Sequence, residues 1–252
     1  MDKDTLSYFE AGGLVLVFIG IPVFVMWRLE KRRTAKESAV AASLGATFRG
    51  KGSQEDIAAL LGDSHVASHG HTLILSNLME FPATDDRNIK LFDYHYTIGS
   101  GKSSTGFEQT IFRMESSGAE LPEFVLHPES FLYKAAKALG AQDIELPDFP
   151  EFNKMFSVQG ADESGIRQVF TPDVIKFCQA HPGIILEGNA DRLLVYRSAK
   201  RVKPEVLTGF LDEGNQLCSL IFDGAGADDA ADADEPPLPV SSPPPLPPPI
   251  AS

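Results

Sequence analysis

The stretch GSGKSS, residues 99–104, ends like a phosphate-binding loop. Such a loop needs G-x-x-x-x-G-K-[ST] between a strand and a helix, because backbone N–H groups and a helix N-terminus must cradle the phosphates. With Gly101, Lys102 and Ser103 as its end, the first glycine is due at position 96, where Tyr96 stands. The residues that follow, FEQTIFRM, alternate like a strand, so no helix N-terminus faces the loop. The stretch reads as a glycine- and serine-rich hairpin loop, and no nucleotide is expected as a partner.

The other residue types that do chemistry are scattered. His65, His69 and His71 lie close together in SHVASHGH and are weak metal candidates. Imidazoles at alternate strand positions share a face, but a metal needs further ligands, and no matching carboxylate or cysteine motif accompanies them. They read more simply as surface or loop histidines. His95 falls within a strand, while His127 and His181 each precede a proline and read as turn residues. Cys178 and His181 are too close along a helix end to form a dyad, and no serine stands in a G-x-S-x-G elbow. Asp143 and Glu145 can project from one strand face, as solvated carboxylate pairs commonly do. No catalytic residue and no cofactor follow from these patterns. The two cysteines, Cys178 and Cys218, cannot build a disulfide framework and read as small buried hydrophobes in a reducing compartment.

What must position these residues is a chain of 252 residues, enough for one good-sized domain with extensions. Its net charge of −13 disfavours nucleic acid as a partner, since the one dense basic cluster sits beside an apolar run. That run, AGGLVLVFIGIPVFVMW at 11–27, has no charge between Glu10 and Arg28. As a helix it is about 25 Å long, the short end of a bilayer span, and Tyr8 and Trp27 sit where interfacial aromatics belong. The acidic start MDKD and the Trp27-Arg28 exit do not suit a cleaved signal peptide. Arg28, Lys31, Arg32, Arg33 and Lys36 follow it, so the positive-inside rule places the C-terminal side in the cytoplasm and the short N-terminus outside. These five residues are also the candidate membrane-surface set, each able to draw on anionic headgroups by about 1 kcal/mol.

Beyond the anchor, residues 28–52 read as a basic helical stalk ending near Gly45. SQEDIAALLG reads as a helix whose Ser53 and Asp56 form a capping box. HTLILSNLMEF, NIKLFDYHYTI, FEQTIFRME and EFVLHPE read as strands, SFLYKAAKALG as a helix, and DIELPDFPEFNKMFSVQG as extended chain broken by prolines. SGIRQVF is a short helix, and Thr171 with Pro172 opens another. GIILEG and DRLLVYR form a hairpin, and a last helix begins at Pro204. Strands in neighbouring runs predict an α+β fold, with a mainly antiparallel sheet and helices packed on one face, preceded by one transmembrane helix. The expected organisation is a short extracytoplasmic terminus at 1–10, the span at 11–27, the stalk at 28–52, a cytoplasmic α+β domain at 53–222, and a tail at 223–252. The tail is acidic, then proline-rich: nine of the chain's 18 prolines fall in its last 17 residues. Such a composition predicts disorder with polyproline II preference, a spacer or a ligand for aromatic grooves.

FDYHYTIGSGKSSTGFEQT, with LPEFVLHPE and DIELPDFPEFNKMFSVQG, resembles an uncharacterised family of bacterial single-pass membrane-anchored proteins with an FDY-x-Y strand, a polar loop and a QT strand. The likeness runs from about Arg28 to Phe222 and leaves out the tail. It implies an architecture and no transferable site: a bacterial inner-membrane anchor with its domain in the cytoplasm. Phe92, Tyr94 and Tyr96 within it fit one face of a strand. The expectation is a membrane-tethered, non-catalytic binding or scaffold protein, its domain or proline-rich tail engaging a protein partner. The alternatives are a membrane-bound, hydrolase-like enzyme without a short motif, and a domain that binds anionic lipid.

Overall fold

The computed structural model describes residues 18, 20–68, 70–84, 86–129 and 142–223. The expected helix at 130–140, the tail beyond Asp223, His69 and residues 1–17 of the expected terminus and span lie outside them.

The described residues build one nine-stranded sheet in which every neighbouring pair is antiparallel. The strands are β1 (Thr47–Lys51), β2 (His71–Glu80), β3 (Arg87–Ile98), β4 (Thr105–Ser116), β5 (Leu121–Pro128), β6 (Gln142–Ile144), β7 (Phe156–Gly160), β8 (Ile185–Ala190) and β9 (Arg192–Tyr196). Their spatial order is β1-β2-β3-β4-β9-β8-β5-β7-β6. The helices are α1 (Ile21–Ser43), α2 (Gln54–Leu60), α3 (Pro150–Met155), α4 (Glu163–Val169), α5 (Pro172–Ala180) and α6 (Leu207–Cys218). An α+β fold with a large antiparallel sheet is therefore observed.

Strand alternation sorts the core into two layers. On β9, Leu193 and Val195 enter one cluster while Leu194 and Tyr196 enter the other. The larger cluster lies under α3, α4, α5 and α6, through Phe152, Ile166, Ile175, Cys178, Phe210 and Leu217. The smaller cluster gathers Phe92, Tyr94 and Tyr96 of β3 with Ile57, Leu60 and Leu61 at α2. Helices thus cover both faces rather than one. The apolar stripe of α2 needs its own burial, and the inward Tyr94 and Tyr96 need a lid on the second face. β2 carries a bulge: Asn77 takes a φ of 53° where the register shifts between Ser76 and Met79, so Leu75 and Leu78, three residues apart, enter the same cluster.

The local signals behind these elements are specific. Ser53 accepts from the Asp56 backbone N–H and the Asp56 carboxylate accepts from the Ser53 N–H, a complete capping box. Thr171 caps α5, with Pro172 in its first turn. At the end of α1, Gly45 has a φ of 71°, and Ala46 and Gly45 donate back to the carbonyls of Ala41 and Ala42. This pair of bonds is a Schellman closure, which glycine permits without strain. It reverses the chain so that β1 lies along β2.

The stalk expected at 28–52 is therefore not free-standing. Ala41 is fully buried, with Val40, Leu44 and Phe48 packed against the larger core. β1 escapes a pattern reading because it is an edge strand of five residues with one half-buried side chain, Phe48. Of the expected span, residues 21–27 form the first turns of α1, with Val23 and Trp27 exposed. No helix among the described residues is long and apolar enough to cross a membrane.

Candidate functional site

Two places gather polar side chains from distant parts of the chain. One is the junction of α1 with the sheet. Asp93 of β3 is buried, and its carboxylate accepts from Arg33 of α1, Asn77 of β2, Thr110 of β4 and Arg201 beyond β9. Arg33 binds it as a fork, with bonds of 3.0 and 3.2 Å, and also donates to the Val202 carbonyl at 2.8 Å. Arg201 bridges Asp93 at 2.8 Å and Glu30 of α1 at 2.7 Å, with Glu108 of β4 at 3.2 Å. Glu37, one turn on from Arg33, is 2% exposed and sits 2.5 Å from its guanidinium. Burial, with Asp93 as the next cause, pushes its carboxyl up to about 8, against the pull of Arg33 and Arg201. Four carboxylates thus face two arginines, Asp93 and Glu37 buried and Glu30 and Glu108 about half exposed, and holding a proton on Glu37 relieves the excess negative charge.

This junction revises the membrane-surface set. Arg33 is turned into the domain, its charge committed to Asp93 and Glu37. Lys36 pairs with Glu205 at 2.6 Å on the surface. Arg28, Lys31 and Arg32 remain exposed, Lys31 lying over the Trp27 ring at 5.1 Å. Sequence spacing cannot reveal the partners of Arg33, because the nearest in sequence among its sheet contacts lies 60 residues away.

The second place is a cavity of about 240 Å³ between the segment after α2 and strands β9, β8, β5 and β7. Two buried charges pin that segment to the sheet. Arg113 of β4 donates to the Leu60 carbonyl at 2.8 Å, closing the end of α2. Glu187 of β8 accepts from the backbone N–H of His65 at 2.6 Å, that of Val66 at 3.0 Å and the Tyr196 hydroxyl at 2.5 Å. Burial pushes the Glu187 carboxyl up to about 7, opposed by those three donors. At the cavity rim Arg192 pairs with Asp63 at 2.6 Å, and Asn189 donates to the same carboxylate at 3.3 Å. The Arg192 hydrogen bond holds the Asp63 carboxyl below its ordinary range.

Of the metal candidates, His65 lines this cavity, buried, and its backbone N–H donates to Glu187. His71 is exposed on β2, with ring bonds to Thr72 and the Gly99 carbonyl. The described residues contain no group of three or more histidine, cysteine or carboxylate side chains placed to hold a metal. His127 is not a turn residue: it is buried within β5, whose last residue is the proline that suggested a turn. His181 does end α5, its ring against the Phe177 carbonyl at 2.7 Å. Asp143 is exposed and accepts from Ser157 and Gln159. GSGKSS joins β3 to β4, with Gly99 at φ 85° and Gly101 at φ 57°, and runs into a strand. Both cysteines are buried, and burial pushes the Cys178 thiol up to about 12, far from reactive thiolate.

Glu187, Arg192 and Asp93 carried no sequence signal beyond being charges inside strand patterns. A charge at an inward strand position was the one available cue.

No protein-family model and no curated protein matches the chain. Among solved structures, the fold is similar to that of the mycobacterial trehalose monomycolate transport factor A, TtfA, whose crystal structure aligns with a TM-score of 0.52 at 11% sequence identity. The alignment covers 75% of this chain and 95% of that one.

Proposed function

We propose that the chain is a membrane-tethered, non-catalytic binding or scaffold protein of the bacterial inner membrane, with its domain on the cytoplasmic side and a protein as its partner. The observation that carries this reading is α1. It is one helix from Ile21 to Ser43 whose second half is locked to the sheet through Arg33, Glu37 and Ala41, while its first turns present Val23, Phe24, Met26 and Trp27 to the outside. An apolar helix end this exposed calls for a covering phase, and the apolar run continues N-terminally to Ala11. Arg28, Lys31 and Arg32 follow at the level where headgroups and the positive-inside rule place them.

A binding role is supported by how the charged groups are used. Asp93, Arg113 and Glu187 are consumed in holding elements together, and Asp63 and Arg192 neutralise each other. The similar fold of a protein described as a transport factor accords with a role in assisting another component rather than making or breaking bonds.

The test is affinity purification from mildly solubilised native membranes, comparing the full chain with one ending at Asp223. The reading expects a stoichiometric protein partner in at least the full-length sample. Loss on truncation assigns the contact to the acidic, proline-rich tail, and retention assigns it to the folded domain. Absence of any stoichiometric partner from both samples contradicts it.

A further inference from the structure

The contacts of α1 set which end of the sheet lies towards its apolar N-terminal turns. The helix closes at Gly45 and leads into β1, whose Thr47 pairs with Glu80 of β2, itself opposite Lys90 of β3. Further back along α1, Arg33 meets Asp93 of β3 at 3.0 Å. Followed towards its N-terminus, α1 therefore passes from the level of Lys90 to that of Asp93, the direction β3 takes to its hairpin with β4 at residues 99–104. Trp27 stands about 9 Å N-terminal to Arg33, at 1.5 Å per residue. Ile98 stands about 16 Å beyond Asp93, and even with helix and strand crossing at about 50°, about 10 Å of that projects along α1. The hairpin tip thus reaches the level of Trp27.

The surface of this end suits that level. Ile98 is 43% exposed on the face of Tyr96, and Ile74, opposite His95, is 45% exposed on the other face. Phe107, stacked on Tyr96 with ring centroids 5.3 Å apart, is partly exposed beside them. The chain has 35 acidic residues, yet none falls between Asp63 and Glu80 or between Asp93 and Glu108, the stretches that build this end. The opposite end of the same hairpin carries Asp86, Glu115 and Glu120. An anionic headgroup layer repels that end and not the tip.

We propose that the tip of the β3–β4 hairpin is a second contact with the bilayer, in which Ile74, Ile98 and the loop 99–104 lie in the interfacial layer of the leaflet. The inference rests on the tethering reading and deepens it: α1 sets the height of the domain, and the hairpin gives the folded domain a lipid contact of its own. Two separated contacts fix the rotation of the domain about α1, which a single helix leaves free.

The test is depth-dependent quenching of the fluorophore NBD, attached to single introduced cysteines in the full chain. The protein is reconstituted in nanodiscs of phosphatidylethanolamine and phosphatidylglycerol that carry a nitroxide lipid with its spin label near the headgroup. Cys178 and Cys218 are fully buried, so the native chain is the unlabelled blank. The labelled positions are Ile98→Cys and Thr105→Cys at the tip, Val23→Cys on α1, and Ser117→Cys beyond the far end of β4, all at exposed residues where the label adds no bulk to the core. Labels at Val23, Ile98 and Thr105 should be blue-shifted and lose emission to the nitroxide, while the label at Ser117 keeps its emission. Quenching at Val23 with none at Ile98 and Thr105 would overturn this inference and leave the tether standing. Absence of quenching at Val23 would overturn both. Quenching at Ser117 equal to that at Ile98 would overturn the orientation proposed for the sheet.

Discussion

At the residue scale, a few buried charges tie distant elements of the chain together. Asp93 is the plainest, a single carboxylate joining α1, β2, β4 and the chain beyond β9. Asp93→Ala would strand Arg33 and Arg201 without their shared anion. Breaking a buried pair from one side costs about 3–5 kcal/mol, and denaturant unfolding should show a loss of that size. Glu37 makes a separate, pH-dependent contribution. Its folded value of about 8 lies above the ordinary carboxylate value of about 4.3, so between those values the folded protein holds a proton that the unfolded chain has released. Stability linked to Glu37 is therefore complete below the unfolded value and is lost as pH rises towards 8. Glutamine at this position carries no such linkage. In urea unfolding from pH 5 to pH 8, the stability of Glu37→Gln relative to the native chain should climb with pH, and a constant difference would contradict the assignment. Sequence reading placed Arg33 on the membrane surface because it stands in a basic run. Its engagement with Asp93 depends on a fold-level contact that no local pattern encodes.

At the scale of elements, much of the fold was legible. The strands read at 88–98 and 107–115 fall within β3 and β4, and the capping box and the Thr171-Pro172 start fall where expected. The misses share a cause. β1 is a short edge strand with little to bury, and α3 begins at Pro150, which punctuates a sequence whether it opens a helix or breaks a strand. Helical cover on the second face was missed because amphipathic periodicity shows that α2 has an apolar side, not which side of the sheet receives it. The cavity was illegible for the same reason: its lining from the segment after α2 and from strands β5, β7, β8 and β9 comes together only in the fold. Gly214 offers a test of how closely elements approach. A Cβ there would run into the Phe112 ring, so the glycine lets α6 lie on β4. Helix propensity alone favours Gly214→Ala by about 1 kcal/mol. Overpacking against an aromatic ring in a dense core costs about 1–3 kcal/mol and should win, giving a net loss in thermal unfolding. The capping box gives a simpler case: Ser53→Ala should cost about 1 kcal/mol in the same measurement.

For the whole molecule, the consequence of the α1 junction is mechanical. The helix that meets the bilayer in our reading enters the domain without a break, and Glu30, Arg33, Lys36 and Glu37 fasten it within about two turns. On that reading the domain is held at a set orientation to the membrane rather than swinging on a linker. The measurement that bears most directly on tethering is alkaline carbonate extraction of membranes carrying either the full chain or a version beginning at Arg28. The full chain should stay in the membrane pellet, and the shortened one should move to the soluble fraction still folded, since Arg33, Glu37 and the Asp93 contacts are retained. Extraction of the full chain by carbonate, or retention of the shortened chain in the pellet, would contradict membrane tethering through the apolar run at 11–27.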